Sequence, residues 1–113
     1  MSYGFNENKT KAGMPDVVEK KSIVSESIPT STTGTITVSG SVAKSGYTPI
    51  GIVGIDVSYG TASTAYSLWG QSFTFGGYRI DGTTAKVFYN KYKSISTAGR
   101  LYVDVYVLYR KDV

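Results

Sequence analysis

The strongest constraint on the fold is an alternation of apolar side chains near the C-terminus. Every second position over residues 101–109 holds a large apolar side chain, namely Leu101, Val103, Val105, Val107 and Tyr109. Successive side chains of a β-strand point to opposite faces, so this alternation places all five on one face of a single strand. We therefore predict a strand here, with one face lining an apolar core.

The opposite face of the same strand is also rich in apolar surface. It carries Tyr102, Asp104, Tyr106, Leu108 and Arg110. A strand that turns its second face to water usually shows polar residues there. Two interpretations stay open: these are scattered surface aromatics, or the face packs against another subunit. In the second interpretation Tyr102, Tyr106 and Leu108 form a candidate oligomer interface.

The chain from Gly34 onward holds several more strand-like segments. Residues 35–42 alternate Thr and Ser with apolar residues. Residues 47–59 also place apolar residues at every second position, but the phase changes at Val53-Gly54, which predicts a β-bulge. Asp81-Gly82 between two strand-like runs predicts a hairpin with a two-residue type I′ turn. About six strands in this length predict an all-β domain over residues 34–113. We expect a compact antiparallel β-sandwich of jelly-roll-like form, with a small barrel as the next alternative.

Residues 1–33 contain few large apolar side chains, and we assign them to an extended N-terminal arm or linker. Pro15 suits the first position of a helical turn over residues 15–21, a segment too short to be stable alone. Residues 27–33 are typical of a linker or an edge strand. We expect the arm to depend on a partner or a neighbouring chain for order.

Composition argues for binding or assembly over catalysis. The chain has no Cys and no His, which removes disulfides, thiol nucleophiles and the commonest zinc ligands and general bases. Among the acids after residue 26, only Asp56 and Asp104 lie on strands where a carboxylate pair is conceivable, and we favour ordinary surface residues there. We predict no enzyme, no metal and no cofactor. The polar start lacks a signal peptide and no apolar run suits a membrane, so we expect synthesis in a cytoplasm.

A second candidate surface interleaves basic and aromatic residues over residues 86–93. The candidate ligand contacts are Phe88, Asn90, Lys91, Tyr92 and Lys93. They suit a carbohydrate platform, or a single nucleic-acid strand on an OB-like barrel. The plainer interpretation makes Val87 and Tyr89 core residues and leaves the lysines in solvent. The net charge of +4 is modest, so nucleic acid is the less favoured ligand. The loops at 60–64 and 94–99 are further candidates.

Three segments resemble a known group of proteins. They are residues 45–54 (SGYTPIGIVG), the Asp81-Gly82 hairpin and residues 103–111 (VDVYVLYRK), and the opening MSYGFNENK is similar to the starts of short proteins from the same source. Together they resemble a C-terminal β module of tail fibre and minor structural proteins of phages and prophages of gut Firmicutes. The resemblance implies a virion part, a homotrimer, that contributes to a tail fibre, baseplate or receptor-binding tip. Its implied partners are other tail proteins and host-surface carbohydrate. A stand-alone carbohydrate-binding module is the alternative.

Overall fold

Alternating apolar residues form strands along most of the chain. The computed structural model describes residues 16–61, 65–66 and 72–113, and within these ranges it contains strands and no helix. The strands are β1 (Val17–Val24), β2 (Gly34–Ser41), β3 (Tyr47–Gly60), β4 (Ala65–Tyr66), β5 (Phe73–Asp81), β6 (Thr84–Lys91) and β7 (Arg100–Lys111).

The strands form two antiparallel sheets that pack face to face. The larger sheet has the order β1-β7-β3-β4 and the smaller one β2-β6-β5. Buried side chains from both sheets meet in one core, which includes Val38, Val87, Val105, Val107 and Tyr109. This arrangement confirms the predicted all-β sandwich.

Strand β7 is the centre of the larger sheet, because it pairs with β1 on one side and β3 on the other. Its five alternating apolar side chains, from Leu101 to Tyr109, are all buried. The outward residues between them are half-buried or exposed. The alternation in the sequence therefore predicts correctly which face of β7 packs in the core.

The sandwich begins earlier in the chain than we predicted. Residues 17–24 fall within the segment assigned to an arm, and their start was expected to be a helical turn, yet they form β1 and pair along their whole length with β7. The inward positions of β1 hold two apolar residues at the ends and two charged residues between them: Val17, Glu19, Lys21 and Ile23. Glu19 pairs with Lys44 and lies 3.5 Å from Lys21, so inward charges are matched. The predicted arm over residues 1–15 lies outside the described residues.

The turns and bulges follow the sequence with two differences. The predicted bulge in β3 occurs between Ile52 and Gly54, and a second register shift follows Pro49. The predicted hairpin joins β5 to β6, but Asp81 pairs with Thr84, so the two loop residues are Gly82 and Thr83. Only Gly82 has a positive φ, of 62°. A positive φ at the first loop residue alone is the mark of a type II′ turn, so the predicted type I′ turn was wrong.

Hydroxyl groups of two buried tyrosines connect the larger sheet to the smaller sheet and to the loop before β7. Tyr109 of β7 donates a hydrogen bond of 2.5 Å to the carbonyl of Val42, just beyond β2. Tyr59 of β3 donates to the carbonyl of Thr97 in the loop before β7. Close packing at glycine adds to these links, since a Cβ on Gly40 of β2 would lie 2.6 Å from Cγ2 of Ile23 in β1.

Candidate functional site

The predicted interface residues Tyr102, Tyr106 and Leu108 all lie on the outer face of the larger sheet. Leu108 is flanked by Val18 of β1 and Gly51 of β3, and Tyr106 by Lys20 and Gly54. Leu108 therefore has an apolar and a small neighbour, whereas Tyr106 has a glycine on one side and a lysine on the other, and apolar surface concentrates on the Leu108 and β3 side of the sheet.

The two bulges of β3 enlarge this surface. Each register shift inserts one extra residue, Ile50 in the first and Val53 in the second. An inserted residue is displaced from the ladder, and these two are 42% and 60% exposed. We call Val18, Ile50, Val53, Tyr106 and Leu108 the apolar patch. Val18 is itself 52% exposed, so three β-branched side chains of the patch face solvent.

Gly54 explains how Tyr106 is held within the apolar patch. A Cβ built on Gly54 would lie 3.3 Å from Cδ2 of the Tyr106 ring. The ring therefore rests directly on the glycine backbone of the neighbouring strand, a packing that compensates for a missing side chain in a sheet. The glycine fixes the orientation of Tyr106 on the surface.

Tyr102 is separated from the other two interface residues. Four residues of an extended strand span about 13 Å, which is the distance along β7 between Tyr102 and Tyr106. Asp104 lies between them and faces Asp56 directly across the β3–β7 ladder. The structure therefore brings together Asp56 and Asp104, the one carboxylate pair conceivable from the sequence, and this acidic pair divides the outer face into two zones.

The zone around Tyr102 is concave on both sides of the ring. One depression of about 230 Å³ is lined by Asp56, Ser58 and Asp104 together with Tyr102. A second, of about 250 Å³, lies between Tyr102 and a group that includes Ser27, Gly60 and Arg100. We call Tyr102, Asp56, Asp104, Ser58 and Arg100 the Tyr102 site.

Hydrogen bonds hold the polar groups of this site in place. Ser22 Oγ donates to Asp104 Oδ1 at 2.6 Å, and Arg100 Nη1 donates to the carbonyl of Ser25 at 2.9 Å. Ser25 Oγ in turn accepts a bond of 2.9 Å from the backbone N–H of Leu101. The connector after β1 is thereby fixed against the start of β7, and it forms one wall of the second depression.

The predicted ligand contacts of β6 do not form one surface. Phe88 and Asn90 lie on the outer face of the smaller sheet, where the Arg79 guanidinium lies 5.6 Å from the Phe88 ring centroid. Tyr92 and Lys93 follow the strand, and Lys93 Nζ lies 5.9 Å from the Tyr92 ring centroid. The structure thus splits the predicted platform between a sheet face and a loop.

Lys91 belongs to the interior and not to that surface. Its side chain is fully buried, and Nζ donates to the carbonyls of Pro29 and Thr30 at 2.5 and 3.0 Å. A buried ammonium group needs such acceptors, since burial without them is costly. The prediction of Lys91 as a ligand contact or a solvated lysine was therefore wrong, whereas Val87 and Tyr89 are core residues as the plainer interpretation expected.

Several basic side chains on the sandwich surface are already paired with acids. Arg79 and Lys86 both contact Asp81, at 2.9 and 3.2 Å, and their hydrogen bonds lower the pKa of that carboxyl group. The hydrogen bond from Lys44 likewise lowers the pKa of Glu19. These pairs reduce the basic surface that remains for a phosphate backbone.

Comparisons with known proteins do not assign the chain to a family. No known protein family, curated protein or solved structure matches the chain. In the described ranges, no three acidic residues cluster in a way that could hold a metal ion, and no helix is long and apolar enough to cross a membrane.

Proposed function

We propose that this chain is a structural component of a phage or prophage tail that assembles as an oligomer with itself and with other tail proteins. The resemblance to tail modules supports this proposal at the level of sequence. The apolar patch supports it at the level of geometry, and it is the observation that carries the proposal. Exposed β-branched and aromatic side chains concentrated on one sheet face are typical of a protein contact.

The sheet edges favour association through a face. An edge strand with free backbone groups attracts a further strand, and inward charges or bulges guard against this pairing. Edge strand β1 places Glu19 and Lys21 on its inward side. In the described ranges β3 pairs with β4 only at Tyr59 and Gly60, and the remainder of its free edge carries two bulges and Pro49. The apolar patch, by contrast, carries only one charged neighbour on β1, Lys20.

A carbohydrate-binding role is the second candidate, and the Tyr102 site favours it. An exposed aromatic ring beside carboxylates and hydroxyl groups suits a sugar. The nucleic-acid alternative depended on an OB-like barrel, and the two sheets instead form a sandwich. The proposed location of the working protein is the virion tail, after synthesis in the host cytoplasm.

Sedimentation velocity over a range of micromolar concentrations tests the proposed assembly. We expect the wild-type chain to form a homotrimer, and the double substitution Ile50→Thr/Val53→Thr to shift it toward monomer. Val24→Thr is the matched control, because Val24 is an exposed β-branched residue of β1 outside the patch. A wild-type monomer throughout contradicts the proposal. An oligomer that tolerates the double substitution contradicts the assignment of the contact to the apolar patch.

A further inference from the structure

We infer that the Tyr102 site binds a pyranose saccharide without negative charge. The inference deepens the proposed function and rests on it, because it names the ligand class and the residues for contact with a host surface. Tyr102 was predicted as an interface residue, but it lies apart from the apolar patch. The polar groups around it point to a small polar ligand instead of a protein face.

Tyr102 supplies the platform for a sugar ring. Its side chain is 43% exposed and lies between Val24 of β1 and Ser58 of β3 on the outer face. The face of an aromatic ring is electronegative, so it attracts the polarised C–H groups on one side of a pyranose. A pyranose resting on this ring would extend its hydroxyl groups over the two depressions beside it.

The acidic pair supplies the hydrogen-bond acceptors. Like charges placed directly opposite each other on neighbouring strands destabilise a sheet. Asp56 and Asp104 stand in this arrangement, and among the described residues no ion pair joins either one to a cation. The hydrogen bond from Ser22 uses one acceptor position of Asp104. A carboxylate has about four such positions, and charged acceptors form the stronger hydrogen bonds with hydroxyl groups.

The charges of the site also select among sugars. Two carboxylates on one side of the ring repel uronic and sialic acids, whereas hydroxyl and amino groups donate to them. Arg100 on the other side uses one N–H on the Ser25 carbonyl and keeps further donors for sugar oxygens. The site thus offers acceptors at one end of the ring and donors at the other.

Both depressions are shallow, so we expect weak binding to a single saccharide and detection through multivalent display. The probe is a glycan array that presents neutral, amino and acidic pyranose oligosaccharides to the purified full chain. We expect hits confined to sugars without negative charge. Tyr102→Ala should lower binding about tenfold or more, the loss that corresponds to one stacked ring of about 1.4 kcal/mol.

Two variants make the test specific. Tyr92→Ala is the matched control, because Tyr92 is 52% exposed and belongs to the sequence-predicted platform away from this site. Asp104→Asn should weaken binding several-fold and at the same time raise the urea midpoint of unfolding, since it removes the repulsion from Asp56 and keeps an acceptor for Ser22. A merely structural role for Asp104 would not give both effects together.

The outcomes separate this inference from the proposed function. An array without hits, hits only on acidic sugars, or binding that survives Tyr102→Ala each overturns the inference. An oligomer in the same samples leaves the tail proposal standing. A monomer that binds neutral sugars through Tyr102 supports the inference and overturns the assembly. Circular dichroism of each variant verifies that lost binding is not lost folding.

Discussion

Two buried tyrosines of the core should respond in opposite directions to the same chemical change. Tyr89 of β6 is 1% exposed, and among residues 16–61, 65–66 and 72–113 its hydroxyl group has no hydrogen-bond partner. Tyr109 of β7 is equally buried, but its hydroxyl donates to the carbonyl of Val42 at 2.5 Å. Replacing each with Phe removes one oxygen atom and leaves the ring in place. The pair therefore isolates the energetic role of a buried hydroxyl in this sandwich.

The sign of each effect follows from hydrogen-bond satisfaction. An unsatisfied buried polar group costs about 1–3 kcal/mol, so Tyr89→Phe should raise the free energy of unfolding by about 1 kcal/mol once the lost packing of the oxygen is deducted. Tyr109→Phe leaves the Val42 carbonyl without its partner and should lower the free energy by about 1–3 kcal/mol. For a domain of this size, each kcal/mol corresponds to about 4–8 °C in Tm.

Alkaline pH sharpens the prediction for Tyr89. Burial raises the pKa of its phenol to about 12 from its ordinary value of 10.0. Above pH 10 the phenol of Tyr89 ionises in the unfolded chain but stays protonated in the folded one, so the free energy of unfolding is unaffected below pH 10 and falls as pH rises from there toward the folded pKa. One pKa unit corresponds to about 1.4 kcal/mol. Between pH 10 and about pH 12, the difference in free energy of unfolding between Tyr89→Phe and wild type should therefore grow by up to about 3 kcal/mol.

Urea unfolding of wild type and both variants, from pH 7 to about pH 12, measures these differences directly. The slope of free energy against urea should stay the same in all three, because the folded surface does not change. A Tyr89→Phe variant that is less stable than wild type by more than about 0.5 kcal/mol would show that the Tyr89 hydroxyl has a partner, and would refute the reasoning.

Two further predictions concern close packing and acid pH. Gly99→Ala should destabilise the fold by about 1–3 kcal/mol, because the new Cβ would lie 2.4 Å from the carbonyl oxygen of Gly60. The control is Gly51→Ala, whose Cβ would have no atom within 4 Å, and it should leave the Tm unchanged or raise it. Equal Tm changes in the two would contradict this explanation. Stability should also fall as pH drops below the ordinary pKa values of Glu19 and Asp81, 4.5 and 3.8, because ion pairs lower both pKa values in the folded state and their contribution disappears as pH falls through them. Lys44→Met should flatten this acid dependence, and an unchanged pH profile would exclude Glu19 as a cause.

The sequence predicts an element well where every inward position is apolar. This holds for β7. The β5–β6 hairpin is predictable for another reason, since its glycine permits the tight turn although the inward face of β6 includes Lys91. The prediction fails for β1, because Glu19 and Lys21 occupy inward positions and hide the period of two. Glu19 is tolerated there because it pairs with Lys44, which lies 25 residues further along the chain. No pattern within β1 itself therefore predicts the strand.

The site was predictable in part for a similar reason. Alternation alone places Tyr102, Tyr106 and Leu108 on one face, but the register between β3 and β7 decides which of them are neighbours of Asp56 and Asp104. Two bulges set this register, and only the one at Val53-Gly54 has a clear sequence signal. The burial of Lys91 depends on the carbonyls of Pro29 and Thr30, 62 and 61 residues away, which no pattern within β6 reveals.

The acidic pair sets the extent of any subunit contact on the outer face. Burying two carboxylates without cations in a protein interface carries a large desolvation penalty. A contact built on the apolar patch would therefore be stabilised by covering the sheet face as far as Tyr106, and destabilised by extending over the two carboxylates. Asp56 and Asp104 lie at this boundary, with Tyr102 on the far side. An assembly through the patch would therefore leave Tyr102 open to solvent. The proposed subunit contact and the proposed saccharide site would then occupy opposite ends of one sheet face without competing for it.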